Sequence, residues 1–185
     1  MGERILRTER LTLSYLSPAD APFILELVND PDWLRFIGDK AIHSIEDAED
    51  YIRTGPMSMY EVGGLGMLRV ARASDNDVIG VCGLVDREGL DDIDIGFALL
   101  PSYRQRGYAR EAALAVLADA FQSPRLGQVA AIALPHNLPS ITLLTSIGFR
   151  HSESIRLPGE KDVLSLFMLS REQFLSMRTE QPSKS

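Results

Sequence analysis

Seven stretches of the chain carry apolar residues with the spacing expected of β-strands. In the first, Leu11, Leu13 and Tyr15 alternate with Thr12 and Ser14, which predicts a strand with one buried face. The sequence Ser-Asp-Asn-Asp joins the second and third strands and has the composition of a hairpin turn. The predicted strands cover residues 11–15, 65–71, 78–85, 93–99, 129–134, 152–157 and 163–169.

Two capping signatures predict helices between the first two strands. Residues 17–20, Ser-Pro-Ala-Asp, place serine at the N-cap, proline in the first turn and an acid three residues after the cap. A second box, Ser-Ile-Glu-Asp at 44–47, predicts a helix that ends near Arg53. We expect the residues between these two helices to be irregular. Further helices are predicted at 107–121 and 140–147, with a terminal helical turn after Ser170.

The order of these elements, β-α-α-β-β-β-α-β-α-β-β, is typical of an α+β fold with a mixed, mostly antiparallel sheet that carries helices. A length of 185 residues suits one domain, predicted at 6–174. The polar, aromatic-free segment 178–185 is predicted to be a disordered tail.

Charge and composition exclude several classes of function. Nineteen basic and 26 acidic residues give a net charge of −7, which argues against binding extended nucleic acid or an anionic membrane surface. No apolar run approaches the roughly 18 residues that a membrane span needs, and no apolar signal segment is visible at the start, so we expect a cytoplasmic protein. One cysteine and three scattered histidines indicate neither a disulfide nor a metal site.

Residues 104–110, Arg-Gln-Arg-Gly-Tyr-Ala-Arg, lie between a predicted strand and a predicted helix. A helix N-terminus presents unpaired N–H groups and a partial positive charge, and a glycine lets the backbone approach a phosphate. The segment therefore has the chemistry of an anion site. The alternative is a solvated basic turn that begins an ordinary helix.

The surrounding sequence resembles the GNAT superfamily of acetyltransferases. Arg104-x-x-Gly107-x-Ala109 matches that superfamily's cofactor motif, [RQ]-x-x-G-x-[GA]. Three further segments are similar to its RimJ/RimL-type branch, which acetylates the N-termini of ribosomal proteins. These segments are Thr8-Glu-Arg-Leu11-x-Leu13, Asp94-Ile-Gly-Phe97, and Asn137-x-x-Ser140 followed by Gly148-Phe149.

The resemblance implies a GNAT-like (acyl-CoA N-acyltransferase) fold with helices on both faces of the sheet, and acetyl-CoA as co-substrate. It implies that backbone N–H groups of the loop grip the pyrophosphate, and that the strand around Leu99 parts from its neighbour to admit pantetheine. An N–H near Leu99 then lies by the thioester oxygen. The residues so assigned to the cofactor are Phe97, Ala98, Leu99, Arg104, Gln105, Arg106, Gly107, Tyr108, Ala109, Arg110 and Asn137.

The same resemblance suggests two catalytic residues, Asp94 as a base acting through a water and Ser140 as an acid near the sulfur. Many members carry tyrosine at the place of Leu144, so the usual phenol is missing here. The alternatives are that Asp94 belongs to a solvated acidic edge and that Ser140 merely begins a helix. Asn137 is either a pantetheine contact or a plain turn residue.

Three other side chains have two interpretations each. Trp33 and Phe36 line the acceptor site or pack in the core. Cys82 packs in its strand or carries an acyl group, and packing is favoured.

The function predicted is an acetyl-CoA-dependent N-acetyltransferase that moves the acetyl group to a primary amine by direct attack in a ternary complex. A peptide or protein N-terminal α-amine is preferred as acceptor, because a weak aspartate base suits its lower pKa. The alternatives are acetylation of a small amine, such as an antibiotic or a polyamine, and a non-catalytic acyl-CoA-binding module. Monomer and homodimer are both compatible with the sequence.

Overall fold

The computed structural model describes residues 5–63 and 65–179. Within them the strands are β1 (Ile5–Arg7), β2 (Leu11–Tyr15), β3 (Gly66–Arg72), β4 (Val78–Val85), β5 (Asp94–Leu99), β6 (Gln128–Ala133), β7 (Arg150–Ile155) and β8 (Leu164–Ser170). The helices are α1 (Ala21–Val28), α2 (Pro31–Phe36), α3 (Ile45–Ile52), α4 (Ser58–Gly63), α5 (Tyr108–Ala120), α6 (Leu138–Ser146) and α7 (Arg171–Thr179).

The strands form a sheet in the order β1-β2-β3-β4-β5-β6-β8-β7. β5 pairs with β6 in parallel, through Asp94 and Ala130, whereas the pairs β1–β2, β2–β3, β3–β4, β6–β8 and β7–β8 are antiparallel. The predicted α+β class with a mixed, mostly antiparallel sheet is therefore confirmed.

The chain divides into two compact units. The first contains the chain up to Val85 together with Gly96–Val116, and the second contains Asp86–Ile95 and the chain from Leu117 onward. In the first, α1 and α3 bury Ile24, Leu27 and Ile52 in a common core, because each helix places its apolar residues on one face. In the second, Phe121 and Phe174 pack with ring centroids 5.3 Å apart. The single domain at 6–174 remains a prediction.

Most predicted elements are found within about two residues of their expected bounds, but four were missed. β1 and α4 were not predicted, and neither was the single wide helical turn over Arg53–Met57. The stretch expected to be irregular contains α2, which begins in the ordinary way with Asp30 as N-cap and Pro31 as its first residue.

The C-terminal end also differs from expectation. A full helix, α7, replaces the single turn and runs through Thr179, so the first two residues of the segment predicted to be a disordered tail are helical. Residues 180–185 of that segment lie outside the described residues. Among the described helices, none has the length and apolar character to cross a bilayer.

Candidate functional site

The loop between β5 and α5, in the first unit, has the backbone of an anion site. Gln105 and Gly107 have φ angles of +58° and +79°, and a positive φ is unfavourable for a residue such as glutamine. Across residues 5–63 and 65–179 there is no backbone acceptor for the N–H groups of residues 105–107. The first N–H groups of α5 follow directly and have no partner within the helix. These donors, with the positive helix end, suit a phosphate.

The three arginines of this loop have different surroundings. Arg106 and Arg110 are exposed, and neither side chain has an ion-pair partner in the part of the chain that the structure describes. Their cations are therefore available to an anion that settles on the loop.

Arg104 is held by the protein itself. Its guanidinium donates to the carbonyl of Leu99 at 2.9 Å, to Asp30 at 2.5 Å and to Asp32 at 2.5 Å. Its backbone N–H donates to the carbonyl of Pro101 at 3.2 Å. The guanidinium of Arg104 is thus engaged within the protein and holds the loop in place, and the assignment of Arg104 to the cofactor remains a prediction.

Asp30 is the buried partner in this arrangement. The same carboxylate oxygen that pairs with Arg104 accepts the N–H groups of Asp32 and Trp33 at 3.2 Å and so caps α2. Sequence reasoning missed this acid, although its place before a proline is a visible helix-start signal.

A second cluster joins the start of the chain to the loop. Arg10 donates to the carbonyl of Arg106 at 3.0 Å and to Glu111 at 2.7 Å, and its guanidinium lies 4.6 Å from the ring centroid of Tyr108. The hydroxyl of Thr8 donates to Glu111 at 2.6 Å. In the sequence, Thr8 and Arg10 belong to the segment Thr8-Glu-Arg-Leu11, and nothing in that segment indicates that they lie beside the loop.

The end of β5 is closely packed against β4. A Cβ on Gly80 would lie 2.3 Å from the Leu99 side chain and 2.4 Å from the carbonyl oxygen of Ala98, so only glycine fits there. Leu99 is buried, while Phe97 and Ala98 are half-buried. Their assignment to the cofactor remains a prediction.

Asp94, in the second unit, is deeply buried. Its side chain is 1% exposed, one oxygen accepts a hydrogen bond from Arg87 at 2.8 Å, and the other accepts none within ordinary geometric limits in the described structure. Burial raises the pKa of Asp94 to about 6, and the opposing effects of Arg87 and of the Ile132 backbone are smaller. The alternative that Asp94 belongs to a solvated edge is therefore wrong.

Other acids near Asp94 in the sequence are accessible. Asp86, Asp91 and Asp92 line an open cleft of about 620 Å³ in the second unit, together with Arg125 and Gln128. Asp92 accepts a hydrogen bond from Gln128 at 2.9 Å. With three carboxylates against one guanidinium, this cleft favours a cationic group.

Asn137 and Ser140 are in contact at the start of α6. The side-chain oxygen of Asn137 accepts the N–H of Ser140 at 3.3 Å, so Asn137 caps the helix, as the turn-residue alternative requires. No partner for the Ser140 hydroxyl is seen among the described residues, and Ser140 is half-buried. Among the described residues, no hydrogen bond joins Asn137 or Ser140 to Asp94. Leu144, at the place of the family's tyrosine, is buried.

The remaining candidates are mostly packed. Trp33 lies in the core formed by α1 and α3, which favours the packing alternative. Phe36 is half-buried, with the Arg35 guanidinium 4.9 Å from its ring centroid, and its acceptor role remains a prediction. Cys82 is fully buried, and this burial raises the pKa of its thiol to about 12, which disfavours an acyl-cysteine.

Three comparisons bear on the chain. A family model described as "Acetyltransferase (GNAT) domain" matches residues 10–150. The uncharacterized N-acetyltransferase p20 of Bacillus licheniformis is 29% identical over 175 residues, which cover 90% of this chain and 97% of the relative.

Two solved structures are similar in fold. RimL, described as a ribosomal L7/L12 alpha-N-protein acetyltransferase, has a TM-score of 0.74 at 16% identity, with 92% of this chain and 96% of its own covered. The microcin C7 self immunity acetyltransferase MccE, solved with acetyl-CoA and AMP, has a TM-score of 0.75 at 15% identity, with 88% of this chain and 93% of its own covered.

Proposed function

The chain belongs to the GNAT family of acetyltransferases and is an N-acetyltransferase, and from this premise we propose that it acetylates the α-amine of a peptide or protein N-terminus with acetyl-CoA. The GNAT family predicted from the sequence is confirmed, and RimL shares its fold. The alternative of a non-catalytic binding module is set aside.

The observation that carries the proposal is the state of Asp94. A carboxylate whose pKa is about 6 accepts a proton from an α-ammonium group of pKa near 7.8 against a difference of about two pKa units. For a lysine side chain of pKa near 10.4 the difference is about four units. About one-tenth of an α-amine is already neutral at pH 7, so this base suits an N-terminus better than a lysine.

The reaction needs one bond formed, one broken and one proton moved. The amine nitrogen bonds to the thioester carbonyl carbon as the bond from that carbon to sulfur breaks. Asp94 takes the proton from nitrogen through an intervening water, since its side chain is buried, and then releases it to solvent. Ser140 donates a hydrogen bond to the departing sulfur, which leaves as the thiol with a proton from solvent.

The loop supplies the donor site. The N–H groups of residues 105–110 and the cations of Arg106 and Arg110 bind the pyrophosphate, and Arg104 holds the loop against Leu99 and Asp30. A bound acetyl-CoA supplies the thioester, whose leaving sulfur makes acyl transfer favourable.

Two neighbours suggest different acceptors. RimL is named for the α-amine of a ribosomal protein, whereas MccE is named for self immunity to microcin C7. Their TM-scores of 0.74 and 0.75 are nearly equal, so structural similarity does not favour one acceptor over the other. The acceptor must be identified by measuring activity.

The first test compares acceptors. We expect thiol release from acetyl-CoA with peptides that carry a free N-terminus, and a mass increase of one acetyl group on that amine. The matched control is the same peptide with a blocked N-terminus and an internal lysine, which we expect to be inactive. Turnover on small amines alone would replace the peptide acceptor by the small-molecule alternative.

The second test concerns the base. In the wild type, kcat/KM should rise with pH through about 6, because Asp94 must be ionised to accept a proton. Asp94→Asn should lower kcat by about 100-fold or more and remove this dependence. Asp162→Asn, which neutralises an exposed acid of the same unit, is the control and should leave the profile unchanged. An unaltered profile in Asp94→Asn would exclude Asp94 as the base.

A further inference from the structure

Arg10 makes four contacts that converge on the start of α5 and the loop before it. Two go to Glu111, one from the side-chain Nε at 2.7 Å and one from the backbone N–H at 2.9 Å. A third reaches the carbonyl of Arg106, and the fourth is the face of the Tyr108 ring. Arg10 thus touches three of the residues that frame the loop.

The guanidinium also lies across the glycine of the loop. A Cβ on Gly107 would stand 3.3 Å from Nη2 of Arg10, closer than an ordinary contact. Glycine is therefore favoured at this position for two reasons: the backbone has a positive φ, and a side chain would crowd the Arg10 guanidinium.

Arg10 also lies beside the negative charge of Glu111. Although partial burial alone would raise its pKa, hydrogen bonds from Thr8 and Arg10 outweigh burial and lower the pKa of Glu111 below its ordinary value. The carboxylate is therefore ionised at neutral pH, in the first turn of the helix whose N-terminus faces the loop. Without a cation beside it, this charge would repel a phosphate group.

We infer that Arg10 is a positioning residue for donor binding, which holds the loop through the carbonyl of Arg106 and neutralises Glu111. The inference rests on the proposed function, because it assumes that the loop binds the pyrophosphate of acetyl-CoA. Arg10 acts before the chemical step, so it should affect the donor and not the acceptor.

The test uses calorimetry with CoA and steady-state kinetics on the full chain. Arg10→Met should raise the Kd for CoA and the KM for acetyl-CoA by about tenfold or more, since it removes charge-assisted hydrogen bonds. The values of kcat and of the acceptor KM should stay within about twofold. Arg10→Lys keeps the charge, but its single ammonium group cannot contact both Glu111 and the Arg106 carbonyl as the guanidinium does. Its Kd for CoA and its KM for acetyl-CoA should therefore lie between those of the wild type and of Arg10→Met.

Arg7→Met is the matched control. Arg7 is exposed on β1 and undergoes the same change of charge and of side-chain type. We expect it to bind CoA as the wild type does. Thermal unfolding without CoA should show Arg10→Met to be folded, because the pair with Glu111 is partly exposed and such pairs contribute little to stability.

A double variant separates the two effects of Arg10. Arg10→Met combined with Glu111→Gln should bind CoA more tightly than Arg10→Met alone, because the uncompensated carboxylate is gone. Equal affinities in these two variants would exclude neutralisation as a role of Arg10.

The outcomes distinguish the inference from its premise. If the wild type binds CoA and Arg10→Met binds it as tightly as Arg7→Met does, Arg10 is not a positioning residue and the donor site stands. If the wild type itself does not bind CoA, the proposed function fails first.

Discussion

Asp94 shows what a single residue gains from its surroundings. The sequence places it among five acids in nine residues, so that a solvated edge is an alternative to its predicted role as a base. The structure buries it beside Arg87, whose side chain is 40% exposed. Burial then raises the pKa of Asp94 to about 6, because the charged form loses hydration that one guanidinium does not replace.

This burial predicts a pH-dependent stability. A carboxyl whose pKa is higher in the folded state than in the unfolded chain binds more protons when folded between about pH 4 and 6. The free energy of unfolding therefore falls as the pH rises through this window. Asn at position 94 does not titrate, so the stability of Asp94→Asn relative to the wild type should increase from about pH 4 to 6 and stay constant above this window, measured by thermal unfolding at each pH. A constant difference at all pH values would contradict the raised pKa.

The candidate site was only partly predictable at this scale. The motif located Gly107, whose positive φ agrees with its predicted role, because a local sequence determines a local turn. Arg104 was assigned to phosphate, since nothing near it in the sequence indicates that Asp30, 74 residues away, would pair with it. Long-range partners of this kind are decided by tertiary packing.

At the scale of elements, α2 is the most informative difference between expectation and structure. It has six residues, and a helix so short has little intrinsic stability. Its stability comes from the Asp30 cap and from Trp33, which is buried against α1 and α3. Strands with clear alternation, such as β2, were found where the sequence predicted them, because burial of one face dictates their period.

The ion pair of Asp30 with Arg104 predicts a difference between two neighbouring acids. Asp30→Asn keeps an oxygen for the cap but leaves Arg104 without its buried charge partner, so it should lower the free energy of unfolding by about 2 kcal/mol or more. It should also raise the KM for acetyl-CoA several-fold, because the loop is less firmly held. Both effects are read from denaturant unfolding and donor kinetics.

Asp32→Asn is the control for this prediction. Its carboxylate pairs with the same guanidinium but is 53% exposed, and exposed pairs contribute about 1 kcal/mol or less. Equal effects of the two substitutions would show that burial of Asp30 is not what matters.

At the scale of the whole molecule, a net charge of −7 conceals a local reversal of sign. Residues 86–94 contain five acids and one arginine, and residues 104–111 contain three arginines and one glutamate. The net charge argues against binding of a long polyanion such as nucleic acid. It does not argue against binding of a small phosphorylated donor by a few backbone N–H groups and two exposed arginines.

Donor binding should therefore stabilise the folded chain measurably. At a CoA concentration of about one hundred times Kd the gain is about 2.7 kcal/mol, or roughly 5–10 °C in Tm for a protein of this length. Gly107→Asp should abolish the shift, because it puts a side chain at a positive φ beside Arg10 and a negative charge on the anion site. Retention of the full shift in this variant would remove the loop from the donor site.

The double engagement of Asp30 has a consequence for protein engineering. One oxygen of its carboxylate caps α2 and also pairs with Arg104, so the start of the helix and the donor loop depend on the same atom. A mutant library that randomises α2 together with its N-cap to change the acceptor will then also disturb donor affinity whenever position 30 varies. Keeping Asp30 and Asp32 constant preserves both acidic partners of Arg104, so that such a selection reports mainly on acceptor preference.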